Sequence, residues 1–494
     1  MTEHSRRVFL GGLLSCLATP AVAAALPGRA SPVRGIATAL VPAASTVSSA
    51  ADLVAAANLG GAVSYVVADA ATGRVLEARD GDRPMPPAST MKIVTSLYAL
   101  ETLGGDYRFA TRLIATGPVG GGRVQGDLIL AGGGDPTLTT DDLGDIAAAL
   151  AAKGLRGVTG RYRAWGGALP YVEAIDPTQP AWLGYNPAIS GLNLNFNRVE
   201  FVWKRTGAGY EIGMDARAER YAPKAYTATV KLSDRALPIY SYRKGEVEEW
   251  TVARSALGKR GSRWLPVRRP DLYAADVFQT LARGQGVPLP TPEIAETLPS
   301  GTVLVARQSD DLAAILRTMM KYSNNMVAET VGMSASVRRG VGGHTASAQA
   351  MTDWIRARAG ARTARCADHS GLAGASRISA GDMVRVLLGP GPAAGLRGLM
   401  KEIPFLDTRG RRLAAQPALV MAKTGTLNFV STLAGYVTTP GGRTLAFAIF
   451  TGDIARRDAV PDAQKERPEG AGVWVRRSKG LQQQLIERWV AKHA

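Results

Sequence analysis

Pro87-Ala88-Ser89-Thr90-Met91-Lys92 leads into a helical pattern that runs from Ser89 to Leu103, with Ile93, Val94, Leu97, Leu100 and Leu103 at helical spacing. Ser89 and Lys92 lie three residues apart, so one turn of that helix puts both side chains on the same face. A lysine amine can take a serine proton if burial or neighbouring cations lower its pKa. The start of the helix also supplies backbone N–H groups near the serine, which can stabilise an oxyanion. Such a pair carries weight here because histidine is scarce. His4 falls in the N-terminal leader and His493 is the penultimate residue, which leaves His344 and His369 for a folded core. A histidine-based triad is therefore poorly supported. The chain has no HExxH and no cysteine pair for zinc, and no Walker A or dinucleotide fingerprint, so the chemistry is read as needing no metal and no cofactor.

Ser-x-x-Lys by itself is a weak signal, and a lone Ser89 would suit a helix cap. Ser241-Tyr242-Arg243-Lys244 repeats the pattern, but Gly245 and a Glu-rich stretch follow it instead of an amphipathic helix, so it reads as a decoy. Two further motifs strengthen the Ser89 reading. Ser323-Asn324-Asn325 falls between two helical patterns, the first marked by Leu312, Ile315, Leu316, Met319 and Met320, where a loop can present the side chains of Ser323 and Asn325. Lys423-Thr424-Gly425-Thr426 sits at a strand near the C-terminus. There Gly425 would let a substrate backbone lie close to the strand edge, and the ammonium of Lys423 with the hydroxyls of Thr424 and Thr426 suits a terminal carboxylate.

Outward from these motifs, Ala62–Asp69, the turn Ala71-Thr72-Gly73 and Arg74–Arg79 read as a hairpin. Three strands are expected at Ala418–Lys423, Leu433–Thr438 and Thr444–Phe450, with Pro440-Gly441-Gly442 turning between the last two, then a helix over Leu481–Ala491. The middle of the chain is dense in Gly, Pro and Arg. It carries short strand-like pieces at Val124–Leu130, Arg198–Trp203 and Tyr226–Leu232, and an Ala-rich helix from Thr140 to Lys153. A chain of 494 residues exceeds what one core usually supports, so several lobes are expected.

Apolar residues make up 46% and charged residues 20%, the balance of a folded globular protein. The net charge of +18 favours anionic partners such as the cell wall. The basic residues are scattered in short pairs such as Arg338-Arg339, Arg411-Arg412 and Arg476-Arg477, which argues against nucleic acid. Residues 1–25 read as a signal peptide, with Ser5-Arg6-Arg7-Val8-Phe9-Leu10 resembling a twin-arginine export signal and an ordinary Sec signal as the alternative. Residues 26–50 read as an N-terminal arm. No other apolar stretch is long enough to span a membrane. Cys16 lies in the signal, so Cys366 alone would remain and no intrachain disulfide is expected. The expected location is the periplasm.

In this order and on these elements, the three motifs resemble the set of penicillin-binding proteins and β-lactamases. The stretch between Ser89 and Ser323 is far longer than in a compact β-lactamase. It resembles the insertion of the D-alanyl-D-alanine carboxypeptidase/endopeptidase family, the low-mass class C penicillin-binding proteins or peptidase S13 family. Gly126-Asp127-Leu128, Gly133-Gly134-Asp135-Pro136-Thr137-Leu138 and Leu192-Asn193-Leu194-Asn195-Phe196-Asn197-Arg198-Val199 are similar to signatures of that inserted domain. The resemblance implies an α/β (α+β) transpeptidase-like domain over 51–104 and 304–494, an antiparallel sheet flanked by helices. The mainly β inserted region at 105–303 would form two smaller lobes.

It further implies a serine DD-peptidase acting on peptidoglycan stem peptides and binding β-lactam antibiotics. Ser89 would be the acylated nucleophile, Lys92 its proton acceptor and Ser323 the relay to the leaving amine. Asn325 would orient the peptide and Lys92, while Lys423, Thr424, Gly425 and Thr426 receive the terminal carboxylate and backbone. In the inserted region Tyr185, and Asp176 as the nearest acidic candidate, would meet the stem-peptide side chain. The family segment Asp-Gly-Ser-Gly-Leu-Ser-Arg stands here as Asp368-His369-Ser370-Gly371-Leu372-Ala373-Gly374, without its arginine. A β-lactamase or esterase on the same scaffold, and a wall-binding protein without activity, are the rival readings.

Overall fold

The computed structural model describes residues 48–494. The expected export signal with Arg6 and Arg7, Cys16, and all but the end of the N-terminal arm lie outside the described residues. Helix α1 (Ala50–Ala57) leads into strand β1 (Ala62–Asp69), which turns back as β2 (Val75–Arg79). Helix α2 (Met91–Leu103) follows. After the inserted region come α3 (Leu312–Tyr322), α4 (Asn325–Arg338), α5 (His344–Ala359) and α6 (Ala380–Leu388). Strands β3 (Lys401–Glu402), β4 (Leu419–Leu427), β5 (Val430–Thr438) and β6 (Thr444–Gly452), then helix α7 (Ala471–His493), complete this part.

The six strands form one antiparallel sheet in the order β3-β4-β5-β6-β1-β2, so the N-terminal hairpin closes onto the last strands of the chain. Side-chain alternation sets the layers. Leu445, Phe447 and Ile449 of β6 join Tyr65 and Val67 of β1 on the face that packs Trp474, Leu485 and Trp489 of α7. Ala446, Ala448 and Phe450 join Val66 and Ala68 on the opposite face, which packs α2 to α6. Apolar side chains leave both faces, so the central strands are buried almost throughout and the sheet lies between two helical layers. Helix α2 runs through the interior: Met91 to Ala99 are all buried. Its polar residues are satisfied there, with Ser96 Oγ donating to Lys92 O at 2.7 Å and Thr95 Oγ1 to His369 O at 2.6 Å.

The inserted region leaves and returns on neighbouring strands, since Ala110–Ala115 pairs antiparallel with Thr302–Gln308. These belong to a five-stranded sheet packed by the helices Thr140–Ala152 and Pro270–Gly284. Two three-stranded sheets, built on Arg198–Thr206 and on Glu248–Ala253, share its buried cluster, in which Leu130, Phe201, Trp250 and Phe278 take part. The strand expected at Val124–Leu130 is broken in two, Arg123–Val124 and Leu128–Gly132, because Gly126 between them takes φ 155° and turns the chain. At the other end α7 begins at Ala471, well before the expected Leu481. The charges and glycines between them hide the pattern, but buried Trp474 and Ser478 face the sheet side. Among the described residues no helix is long and apolar enough to cross a membrane.

Candidate active site

Ser89 sits in a 3-10 turn (Ala88–Thr90) at the entrance to α2. Its approach is tightly held. Ala88 adopts φ 48°, a region a non-glycine residue enters only when the surroundings compel it. The carbonyl of Pro87 accepts from Thr90 Oγ1 at 2.6 Å and from Thr432 Oγ1 of β5 at 2.8 Å. Gly425 of β4 packs against the same segment: a Cβ there would lie 2.9 Å from both Pro87 O and Ser89 N. Gly425 was expected to make room for substrate. Its bare face instead receives the Pro87–Ser89 segment of the same chain, because on this strand it is the inward-facing residue and Thr424 and Thr426 are the more exposed ones. If Ser89 is acylated as the sequence resemblance implies, Gly425→Ala should displace it and lower the rate of that step by about 100-fold, the cost of roughly an ångström of misplacement. A time course of penicillin labelling measures this.

Lys92 is fully buried, and its Nζ donates to Ser89 Oγ at 3.1 Å, Asn325 Oδ1 at 2.8 Å and Ser370 O at 2.8 Å. Those three bonds use all the hydrogens of an ammonium. Burial lowers the Lys92 pKa to about 8, against the carboxylates of Asp368 and Glu329, which hold it up. Lys423 of β4 is equally buried, with Nζ donating to Ser323 Oγ at 2.9 Å and to Thr424 O at 2.7 Å. Burial, then repulsion from Lys92 and Lys401, pushes it well below its ordinary range. The largest cause in both amines is burial, not the neighbouring cation. The two anions near Lys92 favour its charged form, and each amine disfavours a charge on the other.

Ser323 ends α3 in the left-handed conformation, φ 59°, which turns the chain between the two helices. Asn324 takes the cap, its side chain accepting from Val327 N at 3.1 Å. That frees Asn325, the first residue of α4, to bond Lys92 with Oδ1 while its Nδ2 donates to Tyr185 O at 3.0 Å. One amide therefore ties the reacting lysine to the inserted region. Only the outer edge of β4 at Met421 and Ala422 is paired, by β3; from Lys423 to Leu427 that edge has no strand beside it among the described residues.

A cavity of about 290 Å³ adjoins Ser323 and Asn325, with Tyr185, Trp264, Arg263 and Glu466 in its walls. Burial pushes the Tyr185 hydroxyl up to about 12, so it stays protonated. Asp176, the expected acidic partner, does not line it. Its Oδ1 accepts from Thr178 N at 3.0 Å and Thr178 Oγ1 at 2.7 Å, and its Oδ2 from Gln179 Nε2 at 3.2 Å, the bonding of a side-chain-stabilised turn. Asp176→Ala should therefore cost about 1–2 kcal/mol of stability and leave peptide KM unchanged, which thermal unfolding and steady-state kinetics test. The carboxylate that does face the cavity is Glu466, held by Trp182 Nε1 and by Arg263, each at 2.8 Å. Nothing in its local sequence marks it, because its partners lie in the inserted region. Over Gly374, where the family arginine is missing, stands the guanidinium of Arg457, reaching in from the helix Ile454–Asp458. Ser241 lies on a strand, Tyr240–Arg243, and Lys244 beyond it pairs with Glu173 at 3.2 Å, so the second Ser-x-x-Lys builds no site.

The sequence model of the D-Ala-D-Ala carboxypeptidase 3 (S13) family matches residues 47–467. A D-alanyl-D-alanine carboxypeptidase of an Actinomadura species is 31% identical over 465 residues, 84% of each chain. The D-alanyl-D-alanine carboxypeptidase DacB of Haemophilus influenzae is 26% identical over 440 residues, 83% of this chain and 90% of that one. The crystal structure of penicillin binding protein 4 (dacB) from Haemophilus influenzae has the same fold, with a TM-score of 0.68 at 21% identity over 88% of this chain and 99% of that one. The match runs through both the sheet domain and the inserted region, and the chain belongs to the D-Ala-D-Ala carboxypeptidase 3 (S13) family of serine peptidases.

Proposed function

We propose that this protein is a penicillin-sensitive DD-carboxypeptidase and endopeptidase of peptidoglycan that works through an acyl-enzyme on Ser89. The observation that carries the reading is the buried Lys92 amine, bonded at once to Ser89 Oγ and Asn325 Oδ1, facing a second buried amine on Ser323. A stem peptide adds along the open edge of β4, its terminal carboxylate beside Lys423, Thr424 and Thr426. That anion favours a charged Lys423. Lys92 then acts in its neutral form, as the base. Ser89 Oγ attacks the penultimate D-Ala carbonyl as Lys92 takes its proton. The proton passes through Ser323 Oγ to the departing amine as the peptide bond breaks. Water then attacks the ester, gives a proton back through Lys92 to Ser89, and releases the shortened peptide. A β-lactam enters the same path because its amide is strained and its carboxylate meets the same residues.

Incubation with purified cell wall, followed by separation of the products, tests this. Free D-Ala reports carboxypeptidase activity and monomers from cross-linked dimers report endopeptidase activity, with Ser89→Ala as the blank. Rapid turnover of penicillin with the wall left intact would instead mark a β-lactamase. For such a substrate the protein acts in the periplasm. Replacing Arg6 and Arg7 together by lysine should trap the precursor in the cytoplasm, while normal export of that variant would indicate the Sec route.

A further inference from the structure

A fully buried carboxylate that the chemistry above does not use stands next to the Lys92 machinery. Glu329 lies on α4, one turn beyond Asn325. Its Oε1 accepts Ser370 N–H at 2.8 Å, both its oxygens accept His369 N–H at 3.2 and 3.1 Å, and Oε2 meets His344 Nε2 of α5 at 2.9 Å. The carbonyl of Ser370 takes the third hydrogen bond of Lys92. Glu329 is thus joined to the reacting amine through a single residue. That residue's loop is fixed elsewhere as well. Asp368 accepts from Gly371 N at 2.9 Å and Ala373 N at 2.8 Å, and the His369 ring packs in the space above Gly332, where a side chain would collide with it.

We propose that Glu329 is a positioning residue for acylation: its carboxylate holds the Ser370 carbonyl that aims Lys92 at Ser89, and its charge, offset by His344, sets the pH at which Lys92 becomes a base. This rests on the reading of Lys92 as proton acceptor. The charged and titratable groups that face this pair can be named. Asp368 and Glu329 face Lys92, and Lys92 faces Lys423. His344, His369 and Ser370 face Glu329. Burial would raise the Glu329 pKa, yet the hydrogen bond and charge of His344 hold it at about 2. The His344 pKa, which burial would lower, is raised by the same contact. Burial holds His369 down at about 4, so it carries no charge near neutral pH.

The signs are opposite for the two members of the pair. Glu329→Gln removes an anion that favours charged Lys92, so the rise of acylation with pH should move to lower pH, by about half a unit or more. Its limiting rate should also fall about tenfold as the loop loosens. His344→Gln keeps an N–H donor for Glu329, and over the pH range in which His344 carries a proton it removes a cation that offsets Glu329, so there the rise should move to higher pH. The experiment is the penicillin acylation rate of both full-length variants between pH 5 and about 10, with thermal unfolding confirming that each is folded. A Glu329→Gln rise that stays in place or moves upward overturns the proposal. If that variant does not fold, Glu329→Asp, which keeps the charge but shortens its reach to Ser370 N–H, replaces it, and a limiting rate equal to the wild type overturns the proposal. Lys92→Arg in the same assay separates the two levels: if it acylates normally the underlying reading fails, and if it is inactive while neither rise moves, only the role of Glu329 fails.

Discussion

Labelled penicillin should attach covalently to the mature protein and to Ser241→Ala, and it should not attach to Ser89→Ala. The expected loss in the latter is on the order of 10⁶-fold, the scale of removing the nucleophile from a serine peptidase. Among the described residues Ser89 Oγ is the hydroxyl bonded to Lys92. Lys92 Nζ is the amine within hydrogen-bond reach of Ser89 Oγ, and Ser323 Oγ is bonded to the other amine, Lys423. Ser241 has the same spacing to a lysine, but on a strand successive side chains leave opposite faces and Lys244 turns away to Glu173. The measurement is fluorescence on a denaturing gel with mass spectrometry of the labelled peptide. Label retained by Ser89→Ala, or located on Ser323, would sink the assignment.

Lys92→Arg should acylate about 10²–10⁴ times more slowly than the wild type, the contribution of a positioned general base. A guanidinium keeps the charge but does not lose a proton in the accessible pH range. In the wild type, burial brings the Lys92 pKa to about 8, so the acylation rate should rise as pH increases through that value, where the charged, inactive form gives way to the free amine. Lys423→Arg should be milder at neutral pH, roughly tenfold or less, because its partners Ser323 Oγ and Thr424 O need only donors. It should also shift the rise to lower pH. The Lys423 amine is pushed well below its ordinary range by burial and by repulsion from Lys92, and a guanidinium, which cannot discharge, would keep its repulsion on Lys92 at every pH. Stopped-flow acylation of both variants across pH decides. A Lys92→Arg enzyme near the wild-type rate would mean that another group takes the serine proton.

The proximity of Ser89 to Lys92, the Ser-x-Asn loop and the Lys-Thr-Gly strand were legible in the sequence because each is a short-range pattern. Ser89 and Lys92 meet through one helical turn, Ser323 and Asn325 flank a helix boundary, and alternation over Ala62–Asp69 and Thr444–Gly452 marks strands whose two faces are both covered. The antiparallel sheet and the inserted region followed from the order of those patterns and from the family resemblance. What only the tertiary structure decided involves partners far apart in the chain. Gly425 faces Pro87 and Ser89 instead of a ligand. The Asp176 carboxylate is consumed by its own turn, while Glu466, unmarked in sequence, is carried to the cavity by Trp182 and Arg263. The Lys92 pKa depends on Glu329 and Asp368, which reach it only once α4 and the Asp368–Gly371 loop have packed around it. Local periodicity reports which face of an element is buried. It carries no information about which charge lies across a buried gap, and in a low-dielectric interior that charge determines which amine gives up its proton.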